Sequence, residues 1–383
     1  MKKYLLIMAV AAIALTSCSS DETIAVNQSD AINFRAYQTG LTRAADASLA
    51  AGSSFKVTAF PTGTTTSAFF SNVVFTGTTS STTTTFSSAN KYYWPSGALD
   101  FYAWAPSTEI AATDDYTGFT ITPGTTIGSQ PDFIYGVTKN KDKSNSSSGV
   151  SLNFRHAESK VVINLMNSNN NLLITVGDVT IGNLYGNGTF TWNGCTNGTA
   201  SATDTDGNSS GYYLDGTWAP GLSGTSYTVT MESTSSYNEL NGTTAAKGLT
   251  STAKDYEMIL IPQTLTTATE YSTATPGSTF NGAYITVELS IQNKADGNTY
   301  LAGGSNPTNY VTAMWPLGPL TWLPGHKYTY IVDLAGGGYY TTNQNSDDDL
   351  DPIIAAGSEI KFVNPTIDNW IVTAPAGDQN IAN

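Results

Sequence analysis

The sequence has little of what chemistry usually needs. Among 383 residues there are two cysteines and two histidines, and charged residues make up only 12 %. With Cys18 assigned to lipid below, Cys195 stands alone. No disulfide framework is then available, and stability must come from packing and strand pairing. Cys195 lies in Asn193-Gly194-Cys195-Thr196-Asn197-Gly198, a turn composition, and reads as a structural thiol. His156 falls in a strand pattern and His326 in a Pro-Gly-His turn. Cys-x-x-Cys, His-Glu-x-x-His and phosphate-loop motifs are all missing. Glutamates are few, and no aromatic-flanked carboxylate pair stands out for glycoside hydrolysis. Long amphipathic helical patterns are missing too. The reading is of a protein that is not an enzyme, needs no cofactor and holds no metal.

The N-terminus carries an address. Lys2 and Lys3 precede an apolar run from Tyr4 to Leu15. A basic start, a short apolar run and small residues at a cut site make a secretory signal. The run is shorter than the ~20 residues that span a bilayer. Leu15-Thr16-Ser17-Cys18 resembles a bacterial lipobox, which implies a cut before Cys18 and lipid on its thiol. Ser19-Ser20-Asp21-Glu22 supplies a polar tether. Residues 1–17 are therefore expected to be a signal peptide.

The formal net charge is −14, and loss of Lys2 and Lys3 with the signal makes it −16. Nucleic acid and anionic lipid attract positive charge, so neither is expected as a partner. Aromatic residues are 11 % of the chain, and Thr, Ser, Gly and Asn fill much of the rest. Thr and aromatics suit pleated surfaces, and Gly and Asn suit turns. The composition predicts an all-β extracellular protein.

Alternation supports that. Ile32, Phe34 and Ala36 alternate with polar residues, as do residues 55–60 before Pro61. Residues 99–106 read as a central strand between turns, and residues 61–90 as a β-hairpin or edge region. Residues 152–156 and 161–165 read as one long strand with a bulge, carrying the chain from a first domain into a second. Further strands are expected at 132–137, 172–176, 179–181, 189–192, 227–231, 258–261, 285–291, 328–334 and 359–363. The turn spacing suits two β-sandwiches. Asp204 with Asp206, and the run Asp347-Asp348-Asp349-Leu350-Asp351, place carboxylates as calcium loops do, but neither completes a loop and both read as solvated turns. Trp94, Trp104, Trp192, Trp218, Trp315 and Trp322 sit among strands and read as core residues, not a sugar platform.

Six stretches, in order, resemble the fimbrillins, pilins of the type V pili of Bacteroidetes. They are the lipobox, Thr42-Arg43-Ala44 after the first strand, Trp94-Pro95 with Leu99-Asp100-Phe101-Tyr102-Ala103, Phe154-Arg155-His156-Ala157-Glu158-Ser159-Lys160-Val161, Leu323-Pro324-Gly325-His326-Lys327-Tyr328-Thr329-Tyr330, and Asp368-Asn369-Trp370. The resemblance implies two tandem transthyretin-like β-sandwich domains and export as a lipoprotein to the outer membrane. It also implies a cut by an Arg-specific surface protease and assembly by β-strand exchange. The expected partners are other copies or related pilins and a host or bacterial surface receptor.

On that basis residues 18–43 form a lipidated propeptide with the first strand, 44–150 an N-terminal domain and 151–383 a C-terminal domain. The expected cut is Arg43–Ala44, because Arg43 sits among Thr, Ala and Asp in a loop pattern. The rival Arg35–Ala36 lies inside an alternating strand. Cutting at Arg43 leaves 12 basic and 27 acidic residues, a formal −15. Residues 365–383 are the candidate donor strand. Within it Ile367, Ile371 and Thr373 share one face, and Trp370 and Val372 the other. Two other roles are compatible with the same stretches: a tip or minor fimbrillin, and a glycan-binding surface lipoprotein that never polymerises.

Overall fold

In a computed structural model of the chain, the residues described are 31–38, 47–49, 51–80, 83–107, 118–192, 216–242, 244–265, 275–347, 349–354 and 362–369. Nine strands lie in the N-terminal part: β1 (Phe34–Gln38), β2 (Ala47–Ser48), β3 (Ser54–Pro61), β4 (Phe70–Ser80), β5 (Thr83–Ser87), β6 (Leu99–Ala105), β7 (Gly118–Ile121), β8 (Ile134–Lys141) and β9 (Val150–His156). Eight of them form one sheet in the order β2-β1-β5-β4-β3-β6-β8-β9, and β1 also pairs with β9. The sheet therefore returns on itself through β1. Its inner face is a dense apolar core of Phe34, Phe55, Phe75, Phe86, Phe101 and Phe154 with aliphatic neighbours. β6 is buried along its whole length, as expected of a central strand. Its odd-numbered residues face this core, while Tyr102 and Trp104 face outward into a second cluster.

The C-terminal part holds β10 (Ser159–Asn167), β11 (Leu172–Leu184), β12 (Gly188–Trp192), β13 (Gly216–Pro220), β14 (Thr225–Thr230), β15 (Glu239–Asn241), β16 (Thr244–Lys247), β17 (Met258–Leu260), β18 (Tyr284–Asn293), β19 (Thr299–Ala302), β20 (Val311–Pro316), β21 (His326–Asp333), β22 (Tyr339–Tyr340) and β23 (Phe362–Asn369). One sheet runs β16-β10-β21-β23, and a larger one runs β14-β11-β18-β20-β22. Both give side chains to one core: Val161, Ile163, Tyr328 and Tyr330 from the first, Ile174, Ile181, Ile285 and Trp315 from the second. This is a β-sandwich built by alternation on each inner face. The two expected strands near 172–181 are one, β11, with a register shift against β18 between Val176 and Val179.

The segment expected as one long bulged strand is two strands in different sheets. β9 belongs to the N-terminal sheet and β10 to the sandwich, so the chain crosses at Ala157 and Glu158. The local hydrogen bonds explain the break. Ala157 N–H donates to the Phe133 carbonyl, and the Glu158 carbonyl accepts from Gly325 N–H. Both groups are thereby withdrawn from a continuous ladder.

The crossing is tightly clamped. β7, an excursion of the N-terminal part, pairs with β12 of the C-terminal part, which pairs with β13. The small sheet packs Phe119 and Phe190 against Trp104, Phe133 and Tyr135. Trp218 Nε1 donates to the Ala157 carbonyl, and Ile259 N–H to the Gln130 side chain at 2.8 Å.

Glu158 is 1 % exposed and accepts Phe133 N–H at 2.9 Å. Burial pushes its carboxyl well above the usual range; the Phe133 bond opposes that shift and the charge of Asp132 adds to it. The neutral acid is thus favoured in the folded chain. Above the ordinary value of 4.5 the unfolded chain sheds this proton while the folded chain keeps it. Stability therefore falls as pH rises, by up to ~1.4 kcal/mol per pH unit, until the folded group itself ionises. Glu158→Gln keeps the acceptor and removes the slope. Urea unfolding at about pH 5 and pH 7 should show the wild type losing more stability than the variant; equal losses would contradict a buried neutral acid.

Candidate assembly groove

β1 is the strand that the groove accommodates. The alternation of Phe34 and Ala36 with Arg35, continued by Ile32 and Asn33 just ahead of the strand, gives this segment one apolar face. All three apolar residues are buried, at 2 %, 0 % and 1 % exposure. The Phe34 ring sits edge-on to Phe75 at 4.7 Å and to Phe101 at 5.2 Å, with Phe55 at 6.1 Å. Such edge-to-face pairs add to simple burial.

The backbone of β1 is held on both sides. It runs parallel to β9, from Phe34 opposite Val150 to Gln38 opposite Phe154. It meets β5 at Phe34 opposite Phe86 and β2 at Tyr37 opposite Ser48. Ile32 N–H donates to Tyr92 O at 2.7 Å, Val150 N–H to Asn33 O at 2.9 Å, and Leu49 N–H to Ala36 O at 3.1 Å. Ile32 and Phe34 together contribute about 3–6 kcal/mol by burial, and each ladder bond a further ~0.5–1.5 kcal/mol net. Without β1 the ring opens between β5 and β9. It would leave unpaired backbone groups beside an apolar trough of Phe55, Phe75, Phe86, Phe101 and Leu152.

Arg35, the rival cleavage residue, is half-buried within β1. Cys18, and Arg43 and Ala44 in the stretch of sequence between β1 and β2, lie outside the described residues. Of the donor candidates, Ile367 is in β23, opposite Tyr328. β23 is the edge strand of its sheet, antiparallel to β21, and Pro365 suits an edge because it offers no N–H to a further neighbour. Trp370, Ile371 and Val372 lie outside the described residues.

The remaining polar candidates have structural roles. His156 Nδ1 is 2.8 Å from Asp132 Oδ1, and His326 Nδ1 is 2.8 Å from the Pro324 carbonyl. Asp351 is buried and accepts Gln344 N–H and the Asn345 amide, so it braces its own loop. Asp347 and Asp349 are exposed, while Asp204, Asp206, Asp348 and Cys195 lie outside the described residues. Among the described residues no group of three or more His, Cys, Asp or Glu is placed to hold a metal. Trp104, Trp315 and Trp322 are core residues, and Trp94 and Trp218 pack half-buried on their clusters. No described helix is long and apolar enough to cross a membrane.

Sequence reasoning identified β1 but not its parallel neighbour. Strand alternation reports which face is buried, not which strand lies alongside. Glu158 was also missed as the buried acid at the crossing. Its only sequence signal is a carboxylate between two apolar strand patterns.

No curated protein matches the chain. Among solved structures it is similar to a cell-adhesion protein of Bacteroides uniformis (13 % identity, TM-score 0.45, covering 90 % of this chain and 100 % of that one). It is also similar to one of Bacteroides ovatus (14 %, 0.46, 90 % and 99 %) and to a fimbrial protein of Bacteroides vulgatus (12 %, 0.44, 88 % and 99 %). Residues 42–370 match the family described as fimbrillin-like, which takes in nearly all of both β bodies. With most of its length inside that match, the chain belongs to the fimbrillin-like family.

Proposed function

We propose that this chain is a pilin: a non-catalytic subunit of surface fimbriae that serves adhesion. It is exported as a lipoprotein on Cys18, anchored at the outer membrane, cut after Arg43 by an Arg-specific protease and polymerised by strand exchange. The observation that carries this reading is β1. It completes the core of the N-terminal sheet, yet it lies entirely ahead of Arg43. A single cut in the stretch between β1 and β2 therefore separates the strand that closes the ring from the rest of that ring. An emptied edge flanked by apolar residues is a template for strand addition from another subunit. Family membership supports self-association and a cell-surface location.

Cys18→Ala tests the export route. One acyl chain anchors only marginally, and stable anchoring takes two or more, as a bacterial lipoprotein carries. The variant should leave precursor in the soluble fraction and no fibres on cells. Normal fibres in electron micrographs of that strain would defeat the proposal.

A further inference from the structure

A hydroxyl-lined cleft lies between the N-terminal part and the sandwich, apart from β1. We infer that it binds a neutral saccharide, held by Thr and Ser hydroxyls, the open edge of β14 and the carboxylates of Glu232 and Asp255. This rests on the adhesive reading, to which it gives a ligand class, and not on strand exchange.

The stretch Thr125-Thr126-Ile127-Gly128, shortly after β7, lines the cleft from the N-terminal part. Residues 228–230 of β14 line it from the sandwich, together with Glu232, Thr250, Ser251 and Asp255. Its volume is about 470 Å³, within the ~300–1,000 Å³ of clefts that hold small ligands. Such clefts are usually apolar, with a few polar groups placed among apolar ones. Here the proportion is reversed. Among the described residues Ile127 and Val229 are the only apolar side chains in the lining, and both are buried; the other side chains are hydroxyls and carboxylates. An apolar ligand would strip water from those groups and return no hydrogen bonds.

The strand edge adds backbone groups. β14 ends its sheet, so it is paired on one side only. Val229 is opposite Val179 of β11, and Met231 N–H donates to the Gly177 carbonyl. Bonded and unbonded residues alternate along an antiparallel pair, so Val229 and Met231 bond inward to β11. The N–H and C=O of Thr228 and Thr230 then point outward along the cleft, with no strand beside them among the described residues. An extended peptide could use the same groups, but the cleft follows only three residues of β14, the lower limit of a strand. The next outward N–H, that of Glu232, is already taken by the Leu249 carbonyl.

Charge narrows the ligand further. Glu232 Oε2 accepts Ser251 N–H at 2.8 Å, and the bonds from Ser251 hold this carboxyl below its usual range. Asp255 Oδ1 stands over Gly128, where a Cβ would come within 2.7 Å of it. Among the described residues no Lys, Arg or His lines the cleft, so the two carboxylates repel an anion. Each carboxylate has two acceptor oxygens, which match the adjacent hydroxyls of a sugar ring. No aromatic ring lines the cleft among the described residues, so hydrogen bonds carry recognition in place of stacking.

The test is titration calorimetry on the full-length precursor, in a detergent without a sugar headgroup. The probes are lactose, maltose and cellobiose, with glucuronate as the anion and Nα-acetyl-lysine amide as the cation. At least one neutral disaccharide should bind saturably, with Kd of about 1 mM or tighter. Asp255→Asn should weaken that binding at least about tenfold, the cost of losing a hydrogen bond to a charged acceptor. Gly128→Ala displaces the same carboxylate and should do the same. Asp255 is exposed and Gly128 half-buried, so the urea midpoint of both variants should stay at the wild-type value. Binding of none of the three disaccharides, tighter binding of glucuronate or the lysine amide, or wild-type affinity in either variant would each overturn the inference. Fibre-bearing cells that fail to adhere to the disaccharide bound by the isolated chain would defeat the adhesive reading and leave the site standing.

Discussion

Truncation after Asn369 leaves the subunit folded, exported and cut after Arg43, but removes its fibres. β23 ends at Asn369 and pairs with β21 of its own sheet, so the truncation spares every strand described in the sandwich. What it removes is the tail proposed to fill a neighbour. Two large apolar side chains and several ladder bonds give a gross term on the order of 10 kcal/mol, before the entropy of ordering the tail is subtracted. That suffices for a durable joint without disulfides. Electron microscopy and surface proteolysis of the truncated strain read the two halves of the prediction separately. Fibres from the truncated subunit would place the donor elsewhere in the chain. Failure to fold would assign the tail to its own core.

Phe34→Ala destabilises the precursor by about 3–5 kcal/mol, the usual cost of emptying a phenylalanine site in a core. Phe34 is fully buried, and its ring lies against those of Phe55, Phe75 and Phe101. Fibres built from the same variant should dissociate at the wild-type temperature, because β1 is absent from the cut subunit. Urea unfolding of the precursor and thermal dissociation of the fibres measure the two sides. Equal weakening of both would mean that β1 stays in the fibre.

The sequence made the strand content legible because alternation is local. Ile32, Phe34 and Ala36 announce their buried face by spacing, and β6 announces a central position by being apolar at every position but Asp100. Which strands become neighbours is decided by long-range packing. That β1 lies parallel to β9, more than a hundred residues later, has no local signature. The break at Ala157 and Glu158 was hidden for the same reason: its hydrogen bonds go to Phe133 and Gly325, which no pattern near residue 157 names. Of the candidate site, the groove strand and the β23 pairing at Ile367 lie in described parts of the chain. Cys18, Arg43, Ala44, Trp370, Ile371 and Val372 rest on sequence alone.

The measurement that tests the central claim most directly is the N-terminal mass of the subunit in assembled fibres. The account predicts chains that begin at Ala44, with β1 cut away. Fibres whose subunits begin at Cys18, or at Ala36 within β1, would contradict it.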